Sequence, residues 1–386
     1  METKKYRFDE VTINFDKKRI PLSSAQREKR QGTFRYYGAQ GVIDHVDDYI
    51  YDGTYLLIAE DGENLKSKKQ NIAQVVDGQF WVNNHAHIVQ GNEQCDTRFL
   101  CYLINSMDLS GYVTGSAQPK LSQANLNAIT LSLPTLVEQK RIVEYLYMLD
   151  QKIDVNRQIN DNLQRQLRTI FKAEFTDNSE LEKMTQIPLS ELCHVVTKGT
   201  TPTTLGKPFV ESGIIFIKAE SILADHSLDK SKFAFIDEET NALLKRSVIH
   251  AGDIVFTIAG TLGRFALIDD NALPANTNQA VAIIRADAEK VLPEYIYTCF
   301  IGEWHTDYYA KRVQQAVQAN LSLTTIKSLP IPVLDKAKMD EYLRLILPLI
   351  KAIKGNEAQN EKLAALRDAL LPKLMSGEID VSAVQL

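Results

Sequence analysis

The stretch IDVNRQINDNLQRQLRTI, residues 153–170, is matched 200 residues later by IKGNEAQNEKLAALRDAL, residues 353–370. Both stretches place an isoleucine, two asparagines, a leucine and a final apolar residue at the same spacing. The paired positions are Ile153 and Ile353, Asn156 and Asn356, Asn160 and Asn360, Leu163 and Leu363, and Ile170 and Leu370. Two copies are too few for a solenoid, so the repeat predicts two equivalent modules, each ending in a long helix.

The repeat extends upstream of each helix. Five further positions keep their spacing: Gln118, Leu121, Ser122, Leu126 and Ile129 in the first copy, and Gln318, Leu321, Ser322, Ile326 and Leu329 in the second. Because the pattern includes both the helices and the segments that lead into them, it predicts a pseudo-symmetric molecule.

The apolar residues of both helical stretches alternate at spacings of three and four, which is typical of a coiled-coil seam. They are Leu146, Leu149, Ile153, Leu163, Leu167 and Ile170 in the first helix, and Ile346, Leu349, Ile353, Leu363 and Leu370 in the second. Two asparagines interrupt each seam. A buried Asn weakens a coiled coil but fixes its register, so the matched asparagines predict that the two helices pair with each other, in an antiparallel arrangement. The alternative is that they face solvent at helix bends.

The segment before each helix shows strand patterns. In the first half, Asp52-Gly53 predicts a turn between strands at 50–51 and 54–59. In the second half, Ala251-Gly252-Asp253 predicts a turn before a strand at 254–258. Further expected correspondences are residues 84–88 with residues 278–282, and a short helix at 99–104 with another at 295–300.

Together these patterns predict an α/β (α+β) fold with two β-rich domains, separated by two long antiparallel coiled-coil helices and related by a pseudo-twofold internal repeat. Pro188, Pro330 and Pro332 mark the joints, because proline lacks a donor and restricts the residue before it. The predicted segments are a first domain at 1–134, a central helical region at 135–180, a second domain at 181–334 and a distal helical region at 335–386.

The composition is that of a globular protein with two or three domains. Of 386 residues, 44% are hydrophobic and 24% are charged, which argues against a disordered or membrane-embedded chain. A charged N-terminus and the lack of an apolar run of about 20 residues predict a cytoplasmic protein. The net charge of -5 leaves nucleic-acid binding open, because binding depends on the local distribution of Lys and Arg. The cysteines lack the spacing of a zinc site and are expected to be small buried side chains: Cys95, Cys101, Cys193 and Cys299.

No set of catalytic residues is evident. The sequence contains neither a phosphate-binding loop nor a dinucleotide fingerprint. His85 and His87 lie on one side of a predicted strand, but no further ligand completes a metal site, which favours hydrogen-bonded structural histidines. Glu60, Asp61 and Glu63 resemble a nuclease carboxylate cluster, yet a solvated turn explains them better. The sequence therefore predicts a binding protein without a catalytic or metal site.

Clusters of basic residues suggest a nucleic-acid partner. Phosphates attract Lys and Arg, while base edges are read by planar groups such as those of Arg, Asn and Gln. One basic run lies at 17–35 and a second at 66–69, whereas the cations of the second half are dispersed. The threonines at 200–204 either donate to phosphate or only shape a turn. The alternative for each basic run is a solvated charged face. The residues predicted to contact DNA are Lys17, Lys18, Arg19, Arg30, Tyr37, Lys68, Lys69, Lys207, Lys218, Arg264 and Arg312.

A series of short motifs follows one order along both halves. The first half contains Tyr36-Tyr37-Gly38-Ala39-x-Gly41, Glu60-Asp61-Gly62 with Asn64-Leu65, Trp81-Val82-Asn83-Asn84-His85-Ala86-His87, Gly115 to Gln118, Leu121-Ser122, Leu133-Pro134 and Glu138-Gln139-Lys140-Arg141-Ile142. The second half contains Gln318-Ala319-Asn320-Leu321-Ser322 and Leu329-Pro330-Ile331-Pro332. In this order, and duplicated, the motifs resemble the DNA-specificity subunits of type I restriction-modification systems over essentially the whole chain. Residues 335–339 depart from the family's usual Glu-Gln pair.

This resemblance implies two target-recognition domains, at 1–134 and 181–334, which each read one half of an interrupted double-stranded DNA sequence. The helices would fix the spacer between the halves and dock two methyltransferase subunits. The chain itself would have no catalysis and no cofactor. S-adenosylmethionine would serve the methyltransferase partner, and ATP and Mg²⁺ would serve two restriction subunits. The implied location is the cytoplasm of a bacterium or archaeon, at the nucleoid. The competing interpretations are an enzyme that acts alone, as a methyltransferase or nuclease, and a coiled-coil adaptor that binds proteins.

Overall fold

The computed structural model describes residues 2–67, 70–115, 118–175, 184–313 and 320–379. The chain divides into two compact units. Unit 1 contains Met1–Lys152 and Lys362–Leu386, and unit 2 contains Ile153–Glu361. Each unit combines a β-rich body with parts of two long helices.

The body of unit 1 is built mainly from short strands. They are β1 (Lys4–Arg7), β2 (Thr12–Asn14), β3 (Gln31–Gly38), β4 (Gly41–Val46), β5 (Tyr51–Asp52), β6 (Tyr55–Ala59), β7 (Ala73–Val76), β8 (Gln79–Val82), β9 (Ala86–Gly91) and β10 (Thr130–Leu133). The helices are α1 (Ser24–Glu28), α2 (Asn64–Ser67), α3 (Thr97–Ser106) and α4 (Gln123–Asn127), followed by the long helix α5 (Leu136–Phe175).

Two sheets form this body. The first has the order β2-β9-β6-β7 with antiparallel neighbours. The second has the order β4-β3-β8-β5, in which β3 and β8 are parallel. In addition, β1 pairs with β10 just before α5 begins.

The strand period of two explains the layers of unit 1. Along β6, Leu57 packs between the two sheets with Tyr37 and Phe80. Its neighbours Leu56 and Ile58 point to the opposite side, into the core that α3 closes. The opposite face of the second sheet is covered by the chain between β2 and β3, since Trp81 Nε1 donates to the Ile20 carbonyl (2.6 Å) and Leu22 N–H donates to the Tyr36 hydroxyl (2.8 Å).

Unit 2 repeats this plan. Its strands are β11 (Thr185–Pro188), β12 (Cys193–Lys198), β13 (Ile214–Ile217), β14 (Ala234–Ile236), β15 (Ile254–Thr257), β16 (Phe265–Leu267), β17 (Ala275–Thr277), β18 (Val281–Ala286) and β19 (Pro330–Val333). Its helices are α6 (Glu238–Leu243), α7 (Pro293–Ile301), α8 (Thr306–Val313) and α9 (Leu323–Lys327), followed by the long helix α10 (Lys336–Ser376).

The sheets of unit 2 have the strand order of unit 1. The order β12-β18-β15-β16 corresponds to β2-β9-β6-β7, and the order β14-β13-β17 corresponds to β4-β3-β8. The parallel pair recurs as β13 with β17, and β11 pairs with β19 as β1 pairs with β10. The predicted fold class is therefore confirmed, including two β-rich domains built on one plan.

Both long helices start with a capping side chain. Before α5, Thr135 Oγ1 accepts from the Glu138 backbone N–H (3.4 Å), and the Glu138 carboxylate accepts from the Thr135 N–H (2.9 Å). This reciprocal pair satisfies two donors of the first turn. Before α10, Asp335 Oδ1 accepts from the Lys338 N–H (3.0 Å). Although residues 335–339 depart from the family pattern, Asp335 supplies an equivalent cap.

Within unit 2 the two helices are antiparallel neighbours. Asn160 Nδ2 donates to the Ile353 carbonyl (3.2 Å), and its Oδ1 accepts from Asn356 Nδ2 (2.8 Å). Asn156 Nδ2 donates to Asn360 Oδ1 (2.8 Å) and to Gln359 Oε1 (2.7 Å). Rising numbers on α5 meet falling numbers on α10, which confirms the predicted pairing. The alternative of solvent-facing asparagines is wrong at Asn156 and Asn160, because both are buried.

Unit 1 holds the other parts of the same helices. Arg367 on α10 donates to Asp150 on α5 (2.7 Å), and Asp150 also accepts from the Tyr102 hydroxyl of α3 (2.5 Å). Leu146 and Leu374 lie in the same hydrophobic core. The antiparallel sense is therefore also visible within unit 1.

The predicted turn at Asp52-Gly53 between two strands is confirmed, but the two strands do not pair with each other, since β5 pairs with β8 whereas β6 pairs with β7 and β9. Gly53 has a φ of 127° and exchanges backbone hydrogen bonds with Gly78 instead. The turn at 251–253 and the short helices α3 and α7 are confirmed.

The predicted alignment of residues 84–88 with 278–282 is wrong by one residue. Leu56 pairs with Val89 in unit 1, and Ile254 pairs with Ile284 in unit 2. A pair of backbone hydrogen bonds supports the same register. Leu121 N–H donates to the Glu60 carbonyl in unit 1, and Leu321 N–H donates to the Ile258 carbonyl in unit 2. These registers make His87 equivalent to Ala282.

The cysteines are free thiols, with Cys95 and Cys299 buried. Burial raises the pKa of the Cys95 thiol to about 12, which keeps it protonated. Among the helices that the structure describes, none is both long enough and apolar enough to cross a membrane.

Candidate nucleic-acid interface

One end of the two sheets of unit 1 gathers motifs that lie far apart in the sequence. The turn at Gly38–Gly41 ends β3, Glu60 and Asp61 follow β6, and residues 83–85 connect β8 to β9. Because β3 and β8 are parallel, their carboxyl ends meet, and the Asn83 N–H donates to the Tyr37 carbonyl (2.9 Å). We call this surface the unit 1 edge; it consists of residues 16–19, 38–41, 60–65, 83–87 and 118–121.

Hydrogen bonds join these segments to one another. Gln40 Nε2 donates to Asn64 Oδ1 (3.3 Å), and the Gly62 N–H donates to the Pro119 carbonyl (3.2 Å). Gly62 has a φ of 129°, a conformation that L side chains rarely adopt. The unit 1 edge is therefore a set of mutually fixed turns rather than independent loops.

A network of charges lies directly beneath the surface of the unit 1 edge. Arg19 Nη1 donates to Glu60 Oε2 (3.0 Å) and to the Ala86 carbonyl (2.9 Å). Lys120 Nζ lies 3.2 Å from the other Glu60 oxygen. Burial alone would raise the pKa of Glu60, but Arg19, the charge of His87 and Lys120 lower it overall. Glu60 thus pairs with two cations, so the prediction of a solvated turn is wrong at Glu60, whereas Glu63 is exposed as predicted.

His87 joins this network from the interior, with 1% of its surface exposed. Its Nδ1 lies 2.6 Å from Asp16 Oδ2, and its Nε2 lies 2.8 Å from the Leu121 carbonyl oxygen. Asp16 Oδ1 accepts the Ile88 N–H (2.7 Å). Burial opposes ionisation of Asp16, but the hydrogen bonds from His87 and Ile88 hold its pKa below the ordinary value. The prediction of a hydrogen-bonded structural histidine is confirmed here.

His85 sits at the rim of the unit 1 edge. Its Nδ1 lies 2.7 Å from Asp61 Oδ2, and about half of the His85 side chain is exposed. In the described part of the chain, no group of three or more His, Cys, Asp or Glu residues is arranged to hold a metal ion. The His85–Asp61 pair instead presents a polar, exposed hydrogen-bonding group next to Asn84.

The residues of the first half that were predicted to contact DNA differ in their exposure and in their partners. Lys17 and Lys18 are exposed on the unit 1 edge. Arg19 belongs to the network with Glu60, and Tyr37 is only 4% exposed, packed edge-on against Phe80 at 5.7 Å. The structure thus gives Arg19 and Tyr37 roles in holding the unit 1 edge together.

Arg30 lies on the outer face of the second sheet rather than on the unit 1 edge. Its guanidinium lies 4.9 Å from the Trp81 ring centroid and 2.8 Å from Asp47 Oδ1. Arg27 has the same arrangement, with Tyr36 at 5.2 Å and Asp44 at 2.8 Å. These contacts order the chain before β3. The predicted contacts Lys68 and Lys69 lie outside the described residues.

Unit 2 has an equivalent surface at the same end of its sheets. We call it the unit 2 edge; it consists of residues 198–204, 217–218, 246, 259–264 and 277–280. The parallel strands β13 and β17 end there, and Thr277 Oγ1 donates to the Ile217 carbonyl (2.6 Å). The Gly199 N–H donates to the Asn278 carbonyl (3.1 Å). A side chain at Gly199 would collide with the Thr277 carbonyl, so glycine is required for this approach.

The threonine-rich loop of the unit 2 edge is shaped by internal hydrogen bonds. The Thr201 N–H and hydroxyl both donate to Gln279 Oε1, and the Thr204 hydroxyl donates to the Thr201 carbonyl (2.7 Å). Arg246 Nη2 reaches the Lys198 carbonyl and Thr200 Oγ1, each at 3.4 Å. The turn-forming alternative is thus confirmed for Thr201 and Thr204, while Thr203 remains exposed beside them.

The DNA contacts predicted for the second half are divided. Lys218 follows β13 on the unit 2 edge, near Glu220 at 3.5 Å. Arg264 also lies there, and its guanidinium donates to the Ile222 carbonyl (3.2 Å). Lys207 instead pairs with Glu239 on α6 at 2.7 Å. Arg312 is part of α8, and its side chain lies outside the described residues.

Several polar residues of the two edges were not selected from the sequence as contacts. Gln40, Asn84 and Lys120 are exposed on the unit 1 edge, and Arg246 and Gln279 on the unit 2 edge. None of them belongs to a dense basic run, which was the signal used. Position gives a useful signal for Gln40, Asn84 and Gln279, which each lie within a few residues of a strand end. Lys120 and Arg246 lie farther from any strand end and are placed by tertiary contacts, with Glu60 and with the Lys198 carbonyl.

The strand orders and the two edges define the class of this protein, a tandem repeat of two α/β modules with the same strand order. Comparisons with known proteins identify the family. The family model of the type I restriction modification DNA specificity domain matches residues 2–165 and again 182–363. The chain therefore belongs to the family of type I restriction-modification DNA specificity proteins, in which its homologues are specificity subunits.

Two curated relatives illustrate the similarity. The putative type I restriction enzyme specificity subunit S.HindORF215P of Haemophilus influenzae is 27% identical over 309 residues, covering 77% of this chain and 76% of its own. The type I restriction enzyme MjaIX specificity subunit of Methanocaldococcus jannaschii is 23% identical over 308 residues, covering 74% and 69%. The crystal structure of the type I restriction-modification S subunit from M. genitalium aligns with a TM-score of 0.54 at 14% identity, covering 97% of this chain and 96% of the other. That structure supports the fold.

Proposed function

We propose that this chain is the sequence-specific DNA-binding subunit of a type I restriction-modification complex, and that units 1 and 2 each read one half of a bipartite double-stranded target. The observation that carries this proposal is the pair of edges. Both lie at the same end of sheets with the same strand order, yet they present different polar groups. Two different readers in one chain give a product of two specificities, which suits an asymmetric target.

The cations of the two edges supply the phosphate contacts in this proposal. Lys17, Lys18 and Lys120 serve unit 1, and Lys198, Lys218 and Arg246 serve unit 2. Base edges are read by the amides and the imidazole between these cations, because planar donors and acceptors discriminate base pairs in a groove. The exposed candidates are Gln40, Asn84, His85 and Gln279.

The helices α5 and α10 serve two functions in the proposal. They set the spacer between the two half-sites, since the asparagine contacts fix their register. They also dock two methyltransferase subunits through exposed apolar side chains. The large exposed apolar residues on these helices are Val137, Tyr147, Met148, Val155, Ile159, Leu345 and Leu366.

The chemistry of the complex is assigned to its partners. The methyltransferase subunits use S-adenosylmethionine, and two restriction subunits use ATP and Mg²⁺. The chain described here contributes recognition and assembly without catalysis, in the cytoplasm beside the chromosome. Polar side chains of the two edges are occupied in mutual contacts, an arrangement suited to a rigid binding surface.

The decisive experiment maps methylated adenines in DNA from cells that express this chain with its methyltransferase partner. We expect one bipartite sequence with a fixed spacer. Replacing residues 181–334 by the corresponding segment of another specificity subunit should change one half of that sequence and leave the other half and the spacer intact. A change in both halves would contradict the two-reader model.

Two other outcomes would support the competing functions. Methyl transfer by the purified chain alone would identify an enzyme. Failure of the chain to bind any DNA sequence preferentially, even with its methyltransferase partner, would favour a coiled-coil adaptor for proteins. A catalytically inactive methyltransferase partner serves as the control, because it should preserve DNA binding while abolishing methylation.

A further inference from the structure

His87 faces a hydrogen-bond acceptor at each ring nitrogen. The Leu121 carbonyl oxygen, 2.8 Å from Nε2, can only accept, so Nε2 carries a proton. Asp16 Oδ2 lies 2.6 Å from Nδ1. A neutral imidazole has a single N–H, so the second hydrogen bond needs one more proton, either on the ring or on Asp16.

The surroundings of Asp16 place this proton on the imidazole ring. Asp16 Oδ1 accepts the Ile88 N–H at 2.7 Å, and Arg19 Nη2 lies 3.6 Å from Oδ2. Both contacts stabilise an ionised carboxylate. The pKa of Asp16 is accordingly lowered in spite of burial. The pair is therefore a buried imidazolium–carboxylate ion pair.

The other ionisable groups around the pair come from four segments. Arg19 and Lys120 are cations that flank the Glu60 carboxylate. Glu60 in turn experiences the charge of His87. The Tyr51 hydroxyl donates to the Phe15 carbonyl (3.3 Å), and burial raises its pKa, which keeps it neutral. With His87 charged, three cations surround two carboxylates.

The ion pair fixes two segments that carry exposed cations. Asp16 directly precedes Lys17 and Lys18, and Leu121 directly follows Lys120. Both segments are held against the start of β9 through the two nitrogens of one ring. If the ring loses its Nδ1 proton, the nitrogen lone pair faces the Asp16 oxygen at 2.6 Å, which is repulsive.

We propose that His87 is a positioning residue for DNA binding by unit 1, because its doubly protonated imidazole holds the Lys17–Lys18 segment and the Lys120 segment in place on the unit 1 edge. Loss of these two hydrogen bonds releases both segments, so DNA binding weakens. This inference rests on the proposed function, and it assigns a role to a residue that does not itself touch DNA.

The substitution Asp16→Asn is a matched test of the ring charge. An Asn side chain at position 16 can still accept the Ile88 N–H through its oxygen, and its amide nitrogen donates to a neutral Nδ1. Every hydrogen bond of the pair is thereby preserved without the extra proton. The variant should fold and should bind DNA with the wild-type affinity, because both segments stay in place.

The first measurement is independent of DNA. We would record the ¹⁵N NMR signals of the histidine side chains in the full chain at about pH 7, and assign His87 with the variant His87→Gln. The expected result is an imidazole protonated at both nitrogens in the wild type and at one nitrogen in Asp16→Asn. A neutral His87 ring in the wild type would overturn the proposal.

The second measurement is the affinity of the chain, with its methyltransferase partner, for a fluorescent duplex that carries the mapped target, at constant pH. We expect His87→Ala, which removes both ring donors, to lose affinity on the order of tenfold and to lower the slope of log affinity against log salt, because Lys17, Lys18 and Lys120 are displaced. Asp16→Asn should retain the wild-type affinity and slope. The exposed residue His45 provides the control, since it lies outside the unit 1 edge and His45→Ala should leave both quantities unchanged.

The outcomes separate this inference from the proposed function. An affinity and a salt slope of His87→Ala that equal those of the wild type remove the positioning role alone. An absence of sequence-specific binding by every form, at every pH, removes the proposed function and the positioning role with it, while the NMR result still reports the charge of the buried pair.

Discussion

Two equivalent positions in the two units carry opposite chemistry. The registers of β2 with β9 and of β12 with β18 pair Asn14 with Val89 and Val196 with Ile284. The next but one pair toward the edges consists of Asp16 and His87 in unit 1, and of Lys198 and Ala282 in unit 2. A buried ion pair in the first unit thus corresponds to an apolar residue and a partly exposed lysine in the second.

This difference shows how one scaffold can present two different surfaces. In unit 1 the residues beneath the edge are charged, and they tie four segments together through hydrogen bonds. In unit 2 the same sheet positions hold Ala282 and Lys198, and the loop is held by hydroxyl and amide groups such as those of Thr201 and Gln279. The sheets themselves are unaffected, because strand order depends on the alternating apolar residues. Polar residues at the strand ends are therefore free to differ.

The comparison predicts that acid will unfold unit 2 before unit 1. Burial lowers the pKa values of His226 and His305 in unit 2 to about 4, so both rings are neutral in the folded state. Their stabilising contribution is complete above the unfolded pKa of about 6.5 and is lost as the pH falls from there to about 4, on the order of 2–3 kcal/mol for each ring. The lowered pKa of Asp16 in unit 1 preserves its contribution down to more acidic pH.

The two tryptophans allow each unit to be followed separately. Trp81 belongs to unit 1 and Trp304 to unit 2, so the variants Trp81→Phe and Trp304→Phe each leave one fluorescent reporter. We expect the Trp304 signal to change at the higher pH. His226 has a φ of 65°, which Asn tolerates, so His226→Asn should shift the unit 2 transition to lower pH. Simultaneous unfolding of both units at the wild-type midpoint would contradict this difference.

A second prediction concerns the replacement of the buried ion pair of unit 1 by the two residues that occupy the equivalent positions of unit 2. His87→Ala leaves the Asp16 carboxylate buried without its main partner and should destabilise unit 1 by about 3 kcal/mol. Adding Asp16→Lys reproduces the pair found in unit 2, and because it removes the buried carboxylate it should recover most of the loss. Urea unfolding followed through Trp81 measures both effects. If the double variant is no more stable than His87→Ala, the residue pair of unit 2 cannot replace the ion pair of unit 1.

The sequence predicted the parts of the fold that follow from periodicity. The spacing of Ile153, Leu163 and Leu167 and the matched asparagines were sufficient to predict helix pairing, because a coiled-coil seam is a local pattern. The pairing of β5 with β8 was not predictable in the same way. Asp52-Gly53 is a strong hairpin signal, but the strands that it joins belong to different sheets, and only the tertiary arrangement decides their partners.

The candidate site was predicted less well than the fold, for a physical reason. Basic runs identify charge, but whether a cation is exposed or paired depends on residues far away in the sequence. Arg19 meets Glu60, which is 41 positions later, and Arg30 meets Trp81 and Asp47. Conversely, Gln279 gains importance only because the parallel strands β13 and β17 end together, and Lys120 only because its segment forms hydrogen bonds with the turn after β6. Such long-range pairings cannot be obtained from one sequence.

A third prediction tests the asparagine contacts between the helices. Asn160→Ala removes a donor to the Ile353 carbonyl and leaves the Asn356 amide without its acceptor. The expected cost is about 2 kcal/mol in unit 2, the penalty for a buried polar group that loses its partner. The double variant Asn160→Leu with Asn356→Leu should be at least as stable as the wild type, because it removes both polar groups together.

Thermal unfolding followed through Trp304 distinguishes these variants. The comparison becomes sharper if the Leu pair raises the melting temperature of unit 2 but lengthens or broadens the spacer in the methylated target. That result would mean that the asparagines are retained for register and not for stability. If the Leu pair is less stable than Asn160→Ala, the amide contacts stabilise unit 2 in addition to fixing the register of the helices.

The smallest expected effects concern individual phosphate contacts, and they test whether both edges bind DNA. The variants Lys17→Ala with Lys18→Ala, and Lys198→Ala with Arg246→Ala, should each lower the slope of log affinity against log salt by about 0.9 for every phosphate contact removed. Arg7→Ala is the matched control, since Arg7 is exposed, pairs with Asp9 and lies outside both edges. A reduced slope for only one pair would locate phosphate binding in one unit, and an unchanged slope for both pairs would move the interface away from the edges.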